Sequence, residues 1–363
     1  MAKRAVIFGG PSPEHDISIS TGLQMTHIAA DVEAIYWDKT GRFHLVEASA
    51  EVSDFIDGVP RKATSLVFVA EPGRGFMQEG SGLARKQRQL DASVILNCCH
   101  GGPGEDGTLQ GMLDLAGYRY SGPGQAGSAL GMDKLSFGAA VAQIGLPTLP
   151  RALLSPERPP DFDGPYIVKP RYGGSSIGIE VVEDHATAVA LLRTPNMADG
   201  AVVEPFLSDF RDLQVAVRTH PEPELSAIEE PVLSASGLYS YQQKYLAWGE
   251  AGGQIQRKLP AQLDAALEEE LRAAAFAVAD LIGVKAIARI DFLEQDGKLW
   301  VNEINTIPGS LSTYLWIDPP IERKQLVEDI FAELEASRPR AFTTAGADGL
   351  ALRNAGSIAG KLG

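Results

Sequence analysis

Short apolar runs closed by glycine- and proline-rich turns alternate along this chain with longer stretches that place apolar residues at helical spacing. Arg4-Ala5-Val6-Ile7-Phe8 reads as a buried strand, Gly9-Gly10-Pro11-Ser12 as a turn, and Ile17 to Leu23 as the start of a helix. The same αβ alternation is expected to continue to Val94-Ile95-Leu96-Asn97, a strand that ends in the loop His100 to Gly107. This pattern predicts a doubly wound, Rossmann-like αβ domain over residues 1–122, with ligands held by loops after the carboxyl ends of its strands. A second unit, residues 123–202, is expected to start with a helix from Met132 and to close on the strand Tyr166-Ile167-Val168. The third, residues 203–340, follows the strand Ala201 to Glu204 and crosses a polar, glycine-rich stretch near 235–255. It continues through a helix from Ala261 to about Ile282 and then a hairpin. A helix near Arg323–Ser337 ends the packed structure, and residues 341–363, rich in Ala, Gly and Thr, read as a mobile tail.

That hairpin carries the most informative alternation. Arg289-Ile290-Asp291-Phe292 and Val301-Asn302-Glu303-Ile304-Asn305 flank the turn signal Gln295-Asp296-Gly297. With an odd-length loop and Gly297 at positive φ, Arg289, Asp291, Glu303 and Asn305 share one face. Ile290, Phe292, Trp300 and Ile304 then share the other. Two acids and an amide oxygen are hard ligands of the kind magnesium takes when phosphates complete its shell. From the hairpin alone, a surface ion pair on the solvent side is the commoner explanation.

Composition narrows the classes. At 363 residues the chain suits two or three domains, and a formal charge of −15 argues against a general nucleic-acid binder while leaving room for a local phosphate site. No apolar run is long enough to cross a membrane, and the N-terminus lacks a signal peptide's apolar region. The two cysteines, Cys98 and Cys99, are adjacent and are expected to end a buried strand in a reducing cytoplasm.

Three further segments bear on phosphate chemistry. Lys169-Pro170-Arg171-Tyr172-Gly173-Gly174-Ser175-Ser176-Ile177-Gly178 directly follows a strand, where the lysine suits a phosphate and the Gly-Gly-Ser-Ser run suits an anion nest. A flexible connection explains such a loop equally well in isolation. Glu204-Pro205-Phe206-Leu207 ends a strand, and its backbone suits a purine edge with an acid downstream for the ribose. An exposed acid at a domain junction is the equal alternative. Lys134 alone would be a solvated lysine on a helix.

Taken together, these pieces resemble the ATP-grasp superfamily, specifically its D-alanine–D-alanine ligase branch, collinearly over about residues 4–335. The markers are Gly9 to His15, His100 to Gly107 with Gln110-Gly111, Met132-Asp133-Lys134, Lys169-Pro170 with Gly174-Ser175-Ser176, Lys244-Tyr245, and Arg289 to Gly309. The resemblance implies a mixed α/β and α+β fold, in which two subdomains grasp ATP and an N-terminal αβ domain completes the substrate site. It implies phosphorylation of a carboxylate by ATP and attack of an amine on the acyl phosphate. By that likeness Lys134, Lys169 and the Gly174-Ser175-Ser176 loop contact phosphate, Lys244 approaches on closure, and Glu204 and Leu207 face adenine. Asp291, Glu303 and Asn305 match the ligands of two magnesium ions, with manganese as a substitute and Glu303 bridging. Glu14 matches the acid that holds the first ammonium, and Ser175 and Tyr245 link it to a loop. Arg289 and the Gly309 backbone match the oxyanion donors, and His100 and Leu315 stand on the substrate side.

Two departures stand out. Tyr314 occupies the place of the family serine that holds the second substrate's carboxylate. Ser208 to Asp212 is shifted by one residue, which makes Asp212 the ribose acid. Residues 46–92 have no counterpart. The expected partners are small amino acids and a second copy of the chain, with no nucleic acid and no membrane. The expected activity is D-alanine–D-alanine ligation for cell-wall peptidoglycan; a ligase for a different second substrate is the alternative. A non-catalytic nucleotide binder is disfavoured because no metal ligand or phosphate lysine is lost.

Overall fold

The strand Arg4–Gly9 lies inside an eight-stranded sheet, parallel to Val32–Trp37 on one side and Val94–Asn97 on the other, with Arg119–Tyr120 beyond. The structure, a computed structural model, describes residues 3–79, 87–232 and 257–355. The expected glycine-rich stretch near 235–255, with Lys244 and Tyr245, lies outside the described residues, as does the end of the tail.

Ala5, Val6, Ile7 and Phe8 are fully buried, as a strand covered on both faces requires. The helix His15–Ile28 packs on this strand so closely that a Cβ at Gly22 would stand 2.3 Å from the Phe8 Cβ. The helix Arg323–Ala336 returns to the same core through Leu326, Ile330 and Phe331, and Arg4 pairs with Glu328 and Glu335.

The expected αβ alternation stops after Trp37. Phe43–Val46, Thr64–Val69, Gly75–Gln78 and Arg88–Gln89 extend the sheet as an antiparallel meander, which accounts for most of residues 46–92. The connection Asp38–Arg42 is too short for the crossover that a parallel neighbour needs. The doubly wound part is therefore the Val32–Trp37 side inward.

Two four-stranded antiparallel sheets follow. One holds Glu180–Val182, Tyr166–Pro170, Ala201–Pro205 and Ala152–Leu153; the other holds Glu224–Leu225, Arg211–Arg218, Ile287–Gln295 and Lys298–Asn305. The helix expected from Met132 instead begins at Lys134, because Asp133 caps it by accepting from Leu135 N–H at 3.2 Å, while Met132 ends the preceding helix. The long helix begins at Ala265 rather than Ala261, four residues later, after Pro260. The tail includes a short exposed helix, Leu350–Ala355.

The hairpin confirms the face but not its cause. The turn is the two-residue Asp296-Gly297, with φ of 51° and 76°, which pairs Gln295 with Lys298. Parity changes at a register shift beside Asp291–Phe292, where Asn302 is the extra residue. Arg289 then pairs with Asn305 and Asp291 with Glu303. Past the shift, Leu299 and Val301 enter the core, and Trp300, expected there, pairs with Leu293 on the opposite face. Cys98 and Cys99 follow the strand Val94–Asn97, wholly buried, and burial pushes both thiols up.

Candidate active site

Two adjoining cavities share Lys134, Gly173, Gly174 and Glu303. The first lies between the two four-stranded sheets and is lined by Lys169, Ser176, Glu204, Leu207, Asp212 and Asn302. The second reaches the N-terminal domain and is lined by Glu14, His100, Glu105, Ser175, Arg289 and Gly309.

At the wall of the first cavity, two cations flank one buried acid. Glu204 is fully buried; its carboxylate accepts from Lys169 Nζ at 2.8 Å, and Arg151 Nε stands 2.8 Å from its other oxygen without an aligned N–H. Burial alone would raise the Glu204 carboxyl, but Lys169 and Arg151 together hold it below the ordinary carboxylate value. Lys169 also donates to Asn302 Oδ1 at 3.3 Å, and Lys134 Nζ donates to Gly173 C=O. Glu204, expected on the adenine side, turns its carboxylate to these cations, and Pro205, Phe206 and Leu207 line the cavity beside it.

On the hairpin face, Asp291 is 3% exposed and sits directly across the ladder from Glu303. Arg289 donates to both Asp291 oxygens at 2.7 Å, and Asn305 Nδ2 donates to Oδ2 at 3.0 Å. Acids directly opposite one another repel. The face is thus built for cations.

Glu14 stands where the helix His15–Ile28 begins, a position that favours negative charge. Ser175 Oγ donates to Glu14 Oε1, and a Cβ at Gly101 would stand 2.3 Å from Oε2, so the carboxylate rests on bare backbone. Glu105 shares this pocket. Burial, and then the Glu14 charge, push its carboxyl up to about 7, against bonds from Gly101, Ile307 and Thr306. Two acids that disfavour each other's charge suit an incoming ammonium.

The chain aligns with two family models, "D-ala D-ala ligase N-terminus" over residues 3–123 and "D-ala D-ala ligase C-terminus" over 159–332. It is 32% identical to a D-alanine–D-alanine ligase of Nitratiruptor sp., covering 92% of this chain and 94% of that one. The chain belongs to the D-alanine–D-alanine ligase family. A ligase of Chlorobaculum tepidum is 34% identical over 84% of this chain and 88% of its own. The solved D-alanine–D-alanine ligase of Helicobacter pylori superposes with a TM-score of 0.71 at 25% identity, covering 94% of this chain and all of that one. The fold is shared with a VanG D-Ala:D-Ser ligase from Enterococcus faecalis, with a TM-score of 0.76 at 23% identity over 92% of this chain and 100% of that one. As a family member the chain is an ATP-grasp ligase that forms carbon–nitrogen bonds, and the fold implies nucleotide use. Among the described residues no helix is long and apolar enough to cross a membrane.

For this D-alanine–D-alanine ligase family member, the structure brings together Glu14, Ser175, Arg289, Gly309, the two lysines and the hairpin acids. Asp212 lines the first cavity. Asp291, Glu303 and Asn305 put on one hairpin face the oxygen donors that magnesium takes; no three described His, Cys, Asp or Glu side chains form a metal-holding group, but here the third donor is an amide. Such a set leaves the remaining positions to phosphate oxygens.

One expectation needs correction. Leu315, whose backbone the resemblance puts on the substrate side, buries its side chain in the core shared by the first and last long helices. Tyr314 lines neither cavity among the described residues; its hydroxyl donates to Glu229 at 2.9 Å, and Arg257 lies 5.0 Å over its ring while pairing with Glu229. Three contributors were missed. Arg151, Asn302 and Glu105 gave no local signal, because each acts on groups far away in sequence.

Glu105 predicts a pH dependence. A carboxyl raised in the folded state above its ordinary 4.5 stabilises the fold fully below that value, and this contribution is lost as pH rises through about 7. Between about pH 5 and pH 8 the wild-type melting temperature should fall relative to that of Glu105→Gln. Parallel melting curves for the two proteins would remove the shift.

Proposed function

We propose that this chain joins D-alanine to D-alanine as ATP is converted to ADP and phosphate. The supporting observation is that an acidic pocket at Glu14 and Glu105 meets the cavity that carries Lys169 through shared Lys134, Gly174 and Glu303. ATP is placed along the first cavity, its phosphates toward Lys134 and Lys169, its ribose toward Asp212 and its base toward Pro205–Leu207. Asp291, Glu303 and Asn305 would hold magnesium, two ions with Glu303 shared. Bound magnesium would offset the charge of the triphosphate and of the carboxylate that approaches it.

Glu14 holds the first ammonium and so aims the same molecule's carboxylate at the γ-phosphorus. An oxygen of that carboxylate takes the phosphoryl group, giving a better leaving group than oxide. The second amine attacks the carbonyl carbon, and the oxygen that gains charge meets Arg289 and the Gly309 N–H. Phosphate leaves with its bonding pair, and the ammonium proton is lost as the amide forms. The cytoplasm, which holds ATP and keeps Cys98 and Cys99 reduced, is the compartment this reading requires.

A second reading has its own observation. Tyr314, with its hydroxyl engaged by Glu229, does not offer the small serine hydroxyl of the family, so the second substrate is open to change. Purified protein with ATP, magnesium and a panel of D- and L-amino acids decides between the two readings. D-alanyl-D-alanine as main product supports the first; phosphate release with a different amide supports the second.

A further inference from the structure

Both polar groups of the Ile307 peptide, two residues before Gly309, are held by side chains from the N-terminal domain. Ile307 N–H donates to Glu105 Oε1 at 2.9 Å, and Ile307 C=O accepts from His100 Nδ1 at 2.6 Å. The Thr306 hydroxyl donates to the same Glu105 oxygen at 3.1 Å. Beyond Gly309, Ser310 N–H donates to Thr21 Oγ1 at 3.2 Å, and Thr21 Oγ1 lies 2.8 Å from His100 Nε2.

Proton positions follow from these partners. A carbonyl only accepts, so His100 carries its proton on Nδ1, and a neutral ring then accepts at Nε2. Thr21 must therefore donate to His100 while it accepts from Ser310. Burial lowers His100 to about 4, which keeps the ring neutral. One ring nitrogen thus holds the loop directly and the other through Thr21. Glu105 is anchored in turn by Gly101 N–H at 2.9 Å, and His100 N–H by Ser18 Oγ at 2.8 Å.

The loop so held is under strain. Ser310, Leu311 and Ser312 have φ of 48°, 48° and 49°, three successive non-glycine residues in the left-handed region. Each costs roughly 1–2 kcal/mol, and such a run persists only when its surroundings over-determine it. Leu311, 1% exposed in the N-terminal core, anchors one end; the Glu105–His100–Thr21 network anchors the other.

We propose that Glu105, His100 and Thr21 are positioning residues, which together clamp the strained loop and aim the Gly309 N–H at the reacting carbonyl. The aiming half rests on the role of Gly309 given above. His100, which also lines the second cavity, thereby acts through Ile307. The N-terminal domain then sets the geometry of an oxyanion donor that belongs to the C-terminal one.

The test uses full-length Glu105→Gln and the near-isosteric Thr21→Val. Hydrogen–deuterium exchange of a peptide spanning 305–312 is compared with wild type, alongside kcat and the KM for ATP. Exchange there should speed up about tenfold without a matching change elsewhere, and kcat should fall about tenfold or more with the KM for ATP unchanged. Unchanged exchange in a folded variant overturns the clamp. Faster exchange with unchanged kcat retains the clamp and overturns the role of Gly309. Should Glu105→Gln fail to fold, Thr21→Val alone decides, since it removes only the hydroxyl.

Discussion

Glu303→Gln should lower turnover by roughly 10²–10³-fold or more, the range for removing one preorganised charge-stabilising group, while leaving the fold intact. The amide keeps the shape of the carboxylate and removes its charge. Glu303 faces Asp291 across the ladder and borders both cavities, so that charge belongs where nucleotide and amino acid meet. Without ligands the variant should be as stable as wild type or slightly more so, because like charges directly opposite in a sheet destabilise it. With magnesium and ATP the wild-type melting temperature should rise, and the variant's should rise much less. Melting curves with and without magnesium-ATP, alongside a product assay, separate loss of chemistry from loss of fold. Near-normal turnover in this variant would sink the metal assignment.

Lys169→Met carries the next largest effect, because it acts on stability and nucleotide binding together. Its side chain is 8% exposed and that of Glu204 is fully buried, so the substitution leaves Glu204 with Arg151 alone. Breaking a buried ion pair from one side costs about 3–5 kcal/mol when the remaining charge is stranded; with Arg151 still present, about 2–3 kcal/mol is expected. The double variant Lys169→Met/Glu204→Gln should be no more stable than Lys169→Met itself, since it strands the buried Arg151 guanidinium, 5% exposed, without its carboxylate. Urea denaturation of these two variants, of Glu204→Gln alone and of wild type measures this coupling, and additive losses would show that the pair is not a unit. ATP affinity should fall in both variants, because the lysine is absent from both.

Part of this was legible along the chain. The run Ala5–Phe8 announced a strand covered on both faces, and alternation in Arg289–Asn305 put the arginine, the acids and the amide on one side. That face was assigned correctly for the wrong reason. An odd loop and a two-residue turn with a bulge give Glu303 the same orientation, and they differ at Trp300, where the expectation failed. Helix starts slipped at Met132 and Ala261, because a capping aspartate and a proline-terminated lead-in resemble the helix they precede. The meander after Trp37 was missed because short strands carry a weak signal, and which neighbour each pairs with is a tertiary matter.

By itself, the sequence determined which chemical groups are available: two lysines beside glycine-rich turns, two acids and an amide on a hairpin, and an acid at the start of the first helix. Local rules set these, since side-chain alternation and capping act over a few residues. The tertiary structure alone decided whom each group meets. It brought Arg151 and Lys169 to Glu204, turned Tyr314 to Glu229, and set Glu105 and His100 against Ile307. Those meetings join residues dozens to hundreds of positions apart, and they form only once burial has removed the water that would otherwise satisfy each partner.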